Sequence, residues 1–352
     1  MKAKFVFFCV LNFSLHQAFS QGCIAIRNLT GFGQFMIPEY GEEPVKWMVN
    51  VNTRYFRSYE EFDGSTNLQI VPEDQKVNHV YVTDISVTKM LDKGWSFTVD
   101  VPFTAADRTA WQEHENDPEN KYKRTTRSFG LSDIRVTLYK WLFDVSTFHK
   151  GNIQLGLGLK LPTGDYRFQD YFYKQSGRTI APVNQSIQLG DGGTGISLEL
   201  NTYYTINKTI GIYGNFFYLF NPRDVNGTLS GFPQDAANLA AGATVNSVPD
   251  AYTWRAGGNL TFGKTVIWAG VRDEGLPVHD VIGSSNGNRR PGKIISVEPG
   301  INYKLKACTV YGFVPFPIYR ATKQSVPDEI IGRPSPGGFA DYMIFVGVFF
   351  NL

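Results

Sequence analysis

Trp95-Ser96-Phe97-Thr98-Val99-Asp100-Val101-Pro102-Phe103 places large apolar side chains at every odd position and polar or small ones at every even position. A period of two puts Trp95, Phe97, Val99, Val101 and Phe103 on one face of an extended strand and Ser96, Thr98, Asp100 and Pro102 on the other. The same pattern recurs upstream, where Trp47, Val49, Val51, Thr53 and Tyr55 share one face and Lys46, Asn50, Asn52 and Arg54 the other. Downstream, Ile153, Leu155, Leu157, Leu159 and Leu161 alternate with Gln154, Gly156, Gly158 and Lys160. Helical three-four periodicity is sustained nowhere, and after residue 20 no run of eighteen apolar residues occurs that could form a transmembrane helix.

About twelve such segments can be read, near 45–57, 77–90, 95–105, 128–142, 151–162, 195–206, 209–220, 251–262, 265–273, 293–305, 307–319 and 340–350. Each is long enough for the roughly 9–11 residues that carry a tilted strand across a bilayer. Short connections (91–94, 144–150, 207–208, 263–264 and 306) alternate with long polar ones (58–76, 106–127, 163–194, 221–250, 274–292 and 320–339). An even strand number with that alternation predicts an all-β fold, a transmembrane antiparallel up-and-down barrel with short periplasmic turns and long extracellular loops. Soluble sandwiches alternate too, but they rarely carry aromatics on the outward face near both strand ends. Here Trp47 and Tyr55, Trp95 and Phe103, Tyr342 and Phe350, and Tyr252 with Trp254 have that placement.

Lys2 and Lys4, an apolar run from Phe5 to Leu11 and Ala18-Phe19-Ser20 before Gln21 read as a secretory leader, so residues 1–20 are expected to be a signal peptide. A lipoprotein acylated at Cys23 is the alternative, although Ser20-Gln21-Gly22 makes a poor lipobox. The 352 residues are 42% hydrophobic, 14% aromatic and 19% charged, which excludes a disordered or acidic-tail protein. Lys+Arg 34 against Asp+Glu 32 becomes 32 against 32 once the two leader lysines are removed. A neutral mature chain has no global electrostatic attraction to nucleic acid.

Gly130-Leu131-Ser132-Asp133-Ile134, the segment Leu155 to Asp165 with its Lys160-Leu161-Pro162-Thr163-Gly164-Asp165, and Leu189-Gly190-Asp191-Gly192-Gly193 look like a motif series of one barrel family. They resemble the outer-membrane proteins grouped as the MetA-pathway of phenol degradation family, distant relatives of FadL-type transporters for hydrophobic compounds. The resemblance covers residues 128–206 by motif and the remainder by strand pattern. It implies passive passage of small or hydrophobic compounds across an outer membrane of a Gram-negative bacterium. One departure is the terminus Phe349-Phe350-Asn351-Leu352, since many such barrels end on an aromatic residue that the barrel-assembly machinery reads.

Two motifs suggest chemistry. Gly190-Asp191-Gly192-Gly193-Thr194-Gly195 satisfies the dinucleotide fingerprint, but that site needs a helix after the last glycine, and Ile196-Ser197-Leu198-Glu199-Leu200 reads as a strand. His279 precedes Ser284 and Ser285 by five and six residues inside a Gly-rich loop, which is poor geometry for a hydrolase pair. Histidines at 16, 79, 114, 149 and 279 show no metal-ligand spacing. The chain is therefore expected to be no enzyme and to use no cofactor or metal.

What remains is the lumen. If the apolar faces meet lipid, then Arg54, Asp84, Asp100, Asp133, Arg135, Lys160, Glu199, Arg255 and Glu298 point inward, because an arginine or lysine at mid-membrane on the lipid face costs about 2–4 kcal/mol. Mixed signs argue against a strongly ion-selective pore. Asp133 and Arg135 are expected to face the lumen together and to meet opposite charges, each such contact worth about 4 kcal/mol of Coulomb energy before desolvation. The charges are equally consistent with a structural network that fills a narrow lumen.

Residues 21–44 are expected to form a periplasmic or plug segment ahead of the barrel at 45–352. Cys23 in that segment and Cys308, which follows a short turn, fall on the same side of the membrane in an oxidising compartment. A Cys23–Cys308 disulfide, or close apposition, would pin the segment at the periplasmic mouth and stabilise by up to roughly 4–5 kcal/mol; two unpaired thiols are the alternative. The expected partners are the bilayer, a small solute and the assembly machinery. The rival functions are a surface-interaction barrel without transport and an outer-membrane lipid hydrolase.

Overall fold

The computed structural model describes residues 45–352 except 115–118, 120, 145–146 and 149. The expected leader, the plug segment and Cys23 lie outside the described residues. Twelve staves run in sequence: β1 (Trp47–Ser58), β2 (Val77–Met90), β3 (Trp95–Ala110), β4 in two pieces (Arg124–Leu131 and Arg135–Trp141), β5 (Gly151–Lys160) and β6 (Gly195–Thr205). Then follow β7 (Ile210–Phe220), β8 (Ala251–Phe262), β9 (Thr265–Leu276), β10 (Gly292–Lys304), β11 in two pieces (Thr309–Phe313 and Phe316–Thr322) and β12 (Tyr342–Asn351). Each pairs antiparallel with its chain neighbour, and β1 pairs with β12 from Met48↔Asn351 to Arg57↔Tyr342, which closes the barrel. Among the described residues no helix is long and apolar enough to cross a membrane.

The outward face carries the apolar set. Leu155, Leu157 and Leu159 of β5 are exposed beside Leu138 of β4 and Leu198 of β6, while the alternate residues of β5 are buried. This face ends in aromatic residues backed by cations. At the short-turn end the Lys89 ammonium lies 5.4 Å from the Trp47 ring and the Lys140 ammonium 5.3 Å from the Trp95 ring. Eight residues along β1 separate Trp47 from Tyr55, roughly 20 Å of membrane at a strand tilt of about 40°. Amphipathic aromatics and snorkelling lysines suit the interface between hydrocarbon and headgroups.

Two staves break, and each break lies opposite a proline. Ser132 N donates to the Pro102 carbonyl at 2.8 Å, so the nitrogen side of Pro102 also faces β4, where it has no N–H to give. The ladder passes from Phe103↔Leu131 to Asp100↔Arg135, placing three residues of β4 against two of β3. In β11, Val314 N donates to the Pro299 carbonyl at 3.2 Å, and pairing lapses between Gly300↔Phe313 and Val297↔Phe316 with the register kept; the shift comes further on, between Ile295 and Ser296. A missing donor on a facing strand interrupts the ladder, and opposite Pro102 the interruption also admits a bulge.

The expected strand limits need correcting at the loop ends. β3 continues to Ala110 and β4 begins at Arg124, so much of the segment expected as loop from 106 to 127 is strand standing beyond the barrel wall. Among the described residues the long loops carry local elements. A hairpin pairs Gln169–Lys174 with Gly177–Pro182, and short helices occupy Ala236–Ala240 and Val326–Ile331, the second opened by a Ser325–Asp328 capping box. These local elements escape a period-two reading because they are short and set by caps and turns.

Val99 sits four residues from both Trp95 and Phe103 and faces lipid. Val99→Arg should lower the folding free energy of the barrel in bilayers by about 2–4 kcal/mol, measured by denaturant titration of the folded, slow-migrating form in electrophoresis.

Candidate functional site

The barrel interior is the site with the most chemistry. Arg54, Asp84, Asp100, Arg135, Lys160, Glu199, Arg255 and Glu298 all occupy buried, inward-facing strand positions. Asp133 lies instead in the break of β4, half-buried, and Arg135 resumes the strand two residues later.

Three groups of charges form. In the first, Arg135 Nη2 donates to Asp100 Oδ2 at 2.8 Å, Arg135 Nη1 reaches Glu199 on β6, and Tyr139 OH donates to Glu199 Oε2 at 2.8 Å. Both long side chains cross over β5, which carries Gly156 and Gly158 on its inward face. A Cβ at Gly156 would lie 2.6 Å from the Tyr139 ring and 3.0 Å from Glu199 Cβ. The alternate glycines of Leu155-Gly156-Leu157-Gly158 therefore supply the room for β4 to reach β6. In the second group, Arg255 Nε donates to Glu298 Oε1 at 2.6 Å, and Arg272 Nη2 donates to Glu274 Oε2 at 2.6 Å with Glu298 at 4.0 Å. The third lies at the break of β4, where Lys160 pairs with Asp191 and stands 3.9 Å from Asp133. Asp133 accepts from Gly164 N at 3.0 Å and Asp191 N at 3.2 Å, tying down both ends of the loop between β5 and β6.

Sequence reading missed Arg272, Glu274, Tyr139 and the aromatic lane of the lumen. Arg272 follows the inward alternation of β9, and extending the strand past 273 would have found Glu274. Phe313 stacks on Phe345 with centroids 4.3 Å apart, and Trp268 lies 5.2 Å from Phe313. The Arg255 guanidinium stands 5.3 Å from the Phe313 ring centre and that of Arg272 5.7 Å from Phe345. Between the first two charge groups, Glu199, Asn201, Asn215, Phe217, Thr253, Arg255 and Arg272 line a cavity of about 20 Å³. That is room for about one water.

Toward the long loops the lumen turns apolar. Phe62, Val183, Ile187, Phe339 and Ala340 from three loops pack on the inward Phe56, Val80, Val82, Ala106, Ile294 and Met343 as a cap. Arg108 holds the cap's rim, donating to Glu113 Oε1 at 2.7 Å and Asn78 Oδ1 at 2.9 Å. Across the mouth, Arg320 joins Glu60 and Asp341, each at 2.7 Å.

The tempting motifs are placed as well. Gly195 opens β6, so the glycine run enters a strand. Ser285 Oγ accepts from Asp280 N at 2.7 Å and the Ser284 hydroxyl donates to Asp224, both as loop pins. Cys308 is half-buried in the turn between β10 and β11. Among the described residues no group of three or more His, Cys, Asp or Glu side chains could hold a metal ion.

The barrel is similar in fold to an outer membrane channel from Pseudomonas putida F1, at a TM-score of 0.54 and 8% identity over 89% of this chain and 97% of that one. The chain folds as a closed twelve-stranded antiparallel β-barrel of the outer-membrane type. Looser likenesses include the Ralstonia pickettii toluene transporter TbuX, with a TM-score of 0.41, 8% identity and coverage of 88% and 90%. Another is the KdgM porin, with a TM-score of 0.38, 9% identity and coverage of 86% and 99%. No family model and no curated protein matches the sequence.

Burial pushes the Asp341 carboxyl up to about 6, and its hydrogen bond with Glu60 adds to the rise, against the Tyr59 amide and Arg320, which lower it. The closed loops thus bind a proton more tightly than open ones, so closure is favoured below about pH 4 and weakens as pH rises toward and through 6. Protection of the Tyr59 and Glu60 amides, which donate to Asp341, should fall between about pH 4 and 6 and level off above that, after correction for intrinsic exchange. Asp341→Asn should remove that dependence.

Proposed function

We propose that this barrel passively admits small or hydrophobic compounds across the outer membrane, without catalysis and without a cofactor. The observation that carries the reading is the inward face itself. Arginines and carboxylates are paired with one another, and a stacked aromatic lane runs beside them. Paired charges of both signs present no ring of one sign to attract bulk ions. Aromatic rings offer contact area to an apolar or aromatic solute. The motifs of residues 128–206 that resemble the phenol-degradation barrel family point the same way.

In this reading Arg54, Asp100, Asp133, Arg135, Lys160, Glu199, Arg255 and Glu298 set what passes: their mutual pairing keeps free ions out and yields locally to a solute. The apolar cap favours a second reading, a barrel whose loops carry a surface role and whose lumen stays shut. Uptake of radiolabelled monoaromatic compounds by proteoliposomes, with planar-bilayer conductance in parallel, separates the two. Uptake above protein-free vesicles supports passage; the absence of both uptake and conductance overturns it.

Arg135→Gln removes the shared cation and leaves Asp100 and Glu199 buried without it. The variant should lose about 3–5 kcal/mol of stability. Any current it carries should shift toward cation selectivity, measured as a reversal potential across a salt gradient.

A further inference from the structure

We propose that Arg57, with Tyr55, His79 and Tyr342, forms an outward-facing site for a phosphate-bearing lipid headgroup in the leaflet on the long-loop side. These four residues belong to adjoining staves. Arg57 of β1 lies directly opposite His79 of β2 and Tyr342 of β12. Arg57, His79 and Tyr342 follow the outward alternation one step beyond the lipid-facing Tyr55 and Tyr81, whose rings pack at 4.7 Å. Tyr55 OH is 2.8 Å from His79 Nδ1 and 3.5 Å from Tyr342 OH, so hydroxyl and imidazole groups converge beside the guanidinium.

The charge on this face is unbalanced. The two carboxylates nearest in register are already engaged, Asp107 by Arg127 at 3.2 Å and Asp341 by Arg320 at 2.7 Å. Arg57 makes no ion pair among the described residues; its guanidinium packs 4.8 Å over the Tyr59 ring, and its buried Nε has no hydrogen-bond partner. A cation beside an apolar band, at the level where the aromatic girdle ends, draws its counter-charge from outside the protein. At that depth the anion present is a lipid phosphate. A guanidinium fork matches phosphate oxygens bidentately, and tyrosine hydroxyls can add donors. Below the phosphate, Tyr55 and Tyr81 would bed the upper acyl chain. The site is on the wall and is independent of whether the lumen conducts.

The full chain, delipidated in detergent and returned to nanodiscs, is titrated with a bisphosphorylated glycolipid and with the same glycolipid after phosphate removal, bound lipid being counted by native mass spectrometry. Wild type should retain the phosphorylated form preferentially. Arg57→Gln should weaken retention roughly fivefold, the effect of one interfacial cation, and Arg57→Lys should recover part of it. Lys89→Gln, which removes a cation at the opposite end, should leave retention unchanged, and electrophoretic mobility confirms that each variant is folded. Equal retention by Arg57→Gln and wild type overturns the proposal, as does equal binding of the phosphate-free lipid. Displacement of the lipid by millimolar inorganic phosphate also overturns it, in favour of a free-anion site.

Discussion

Every backbone N–H and C=O that enters hydrocarbon must find its partner within the protein, because lipid offers none. In a sheet that requirement is met when the first strand returns to the last, and the pairing of β1 with β12 meets it over ten residue pairs from Met48↔Asn351 to Arg57↔Tyr342. Closure divides each strand into a lipid face and a lumen face, and all other features follow from that division. The two interruptions show the same demand: where Pro102 and Pro299 withhold an N–H, the facing Ser132 or Val314 amide still bonds the proline carbonyl, and beyond Pro102 the facing strand bulges.

Inside the wall the same economy applies to side chains. A buried guanidinium without a partner is costly, and so is a buried carboxylate. Arg135 therefore lies between Asp100 and Glu199, and Arg255 and Arg272 share Glu298 and Glu274. Glycine on β5 lets the first of these groups, drawn from β3, β4 and β6, reach across β5. The result is a lumen stiffened by ionic contacts at its waist and sealed by aliphatic and aromatic contacts at its loop end. In the transport reading proposed above, a solute would part apolar contacts at the mouth before meeting charge at the waist.

Outside the wall, the boundary of the membrane is marked chemically rather than by shape. Lysines beside Trp47 and Trp95 close the short-turn end. Tyrosines followed by Arg57, His79 and Arg127 close the other. Tryptophan–lysine pairs and tyrosine–arginine rows present different donors to the two leaflets, so the protein distinguishes the two surfaces it touches.

Much of this was legible in the chain. Period-two alternation sufficed for twelve staves, their short–long connections and the inward assignment of Arg54, Asp100, Arg135, Glu199, Arg255 and Glu298, because a strand in lipid cannot place its side chains on any other face without a large cost. The glycine run at 190–195 could be refused as a cofactor loop from the strand pattern that follows it. What the linear pattern could not contain was partnership. Which carboxylate meets Arg135 depends on the register between β3, β4 and β6 and on the gap left by Gly156. Register is a property of pairs of strands, and contacts across a lumen are a property of closure. The cap of Phe62, Ile187 and Phe339 joins loops more than 120 residues apart in sequence, and the unpaired state of Arg57 emerges once Asp107 and Asp341 are seen to be taken by other arginines. Alternation along one strand is a local consequence of backbone geometry; pairing between strands is settled by the closed wall, where each charge competes for the neighbours that the register brings within reach.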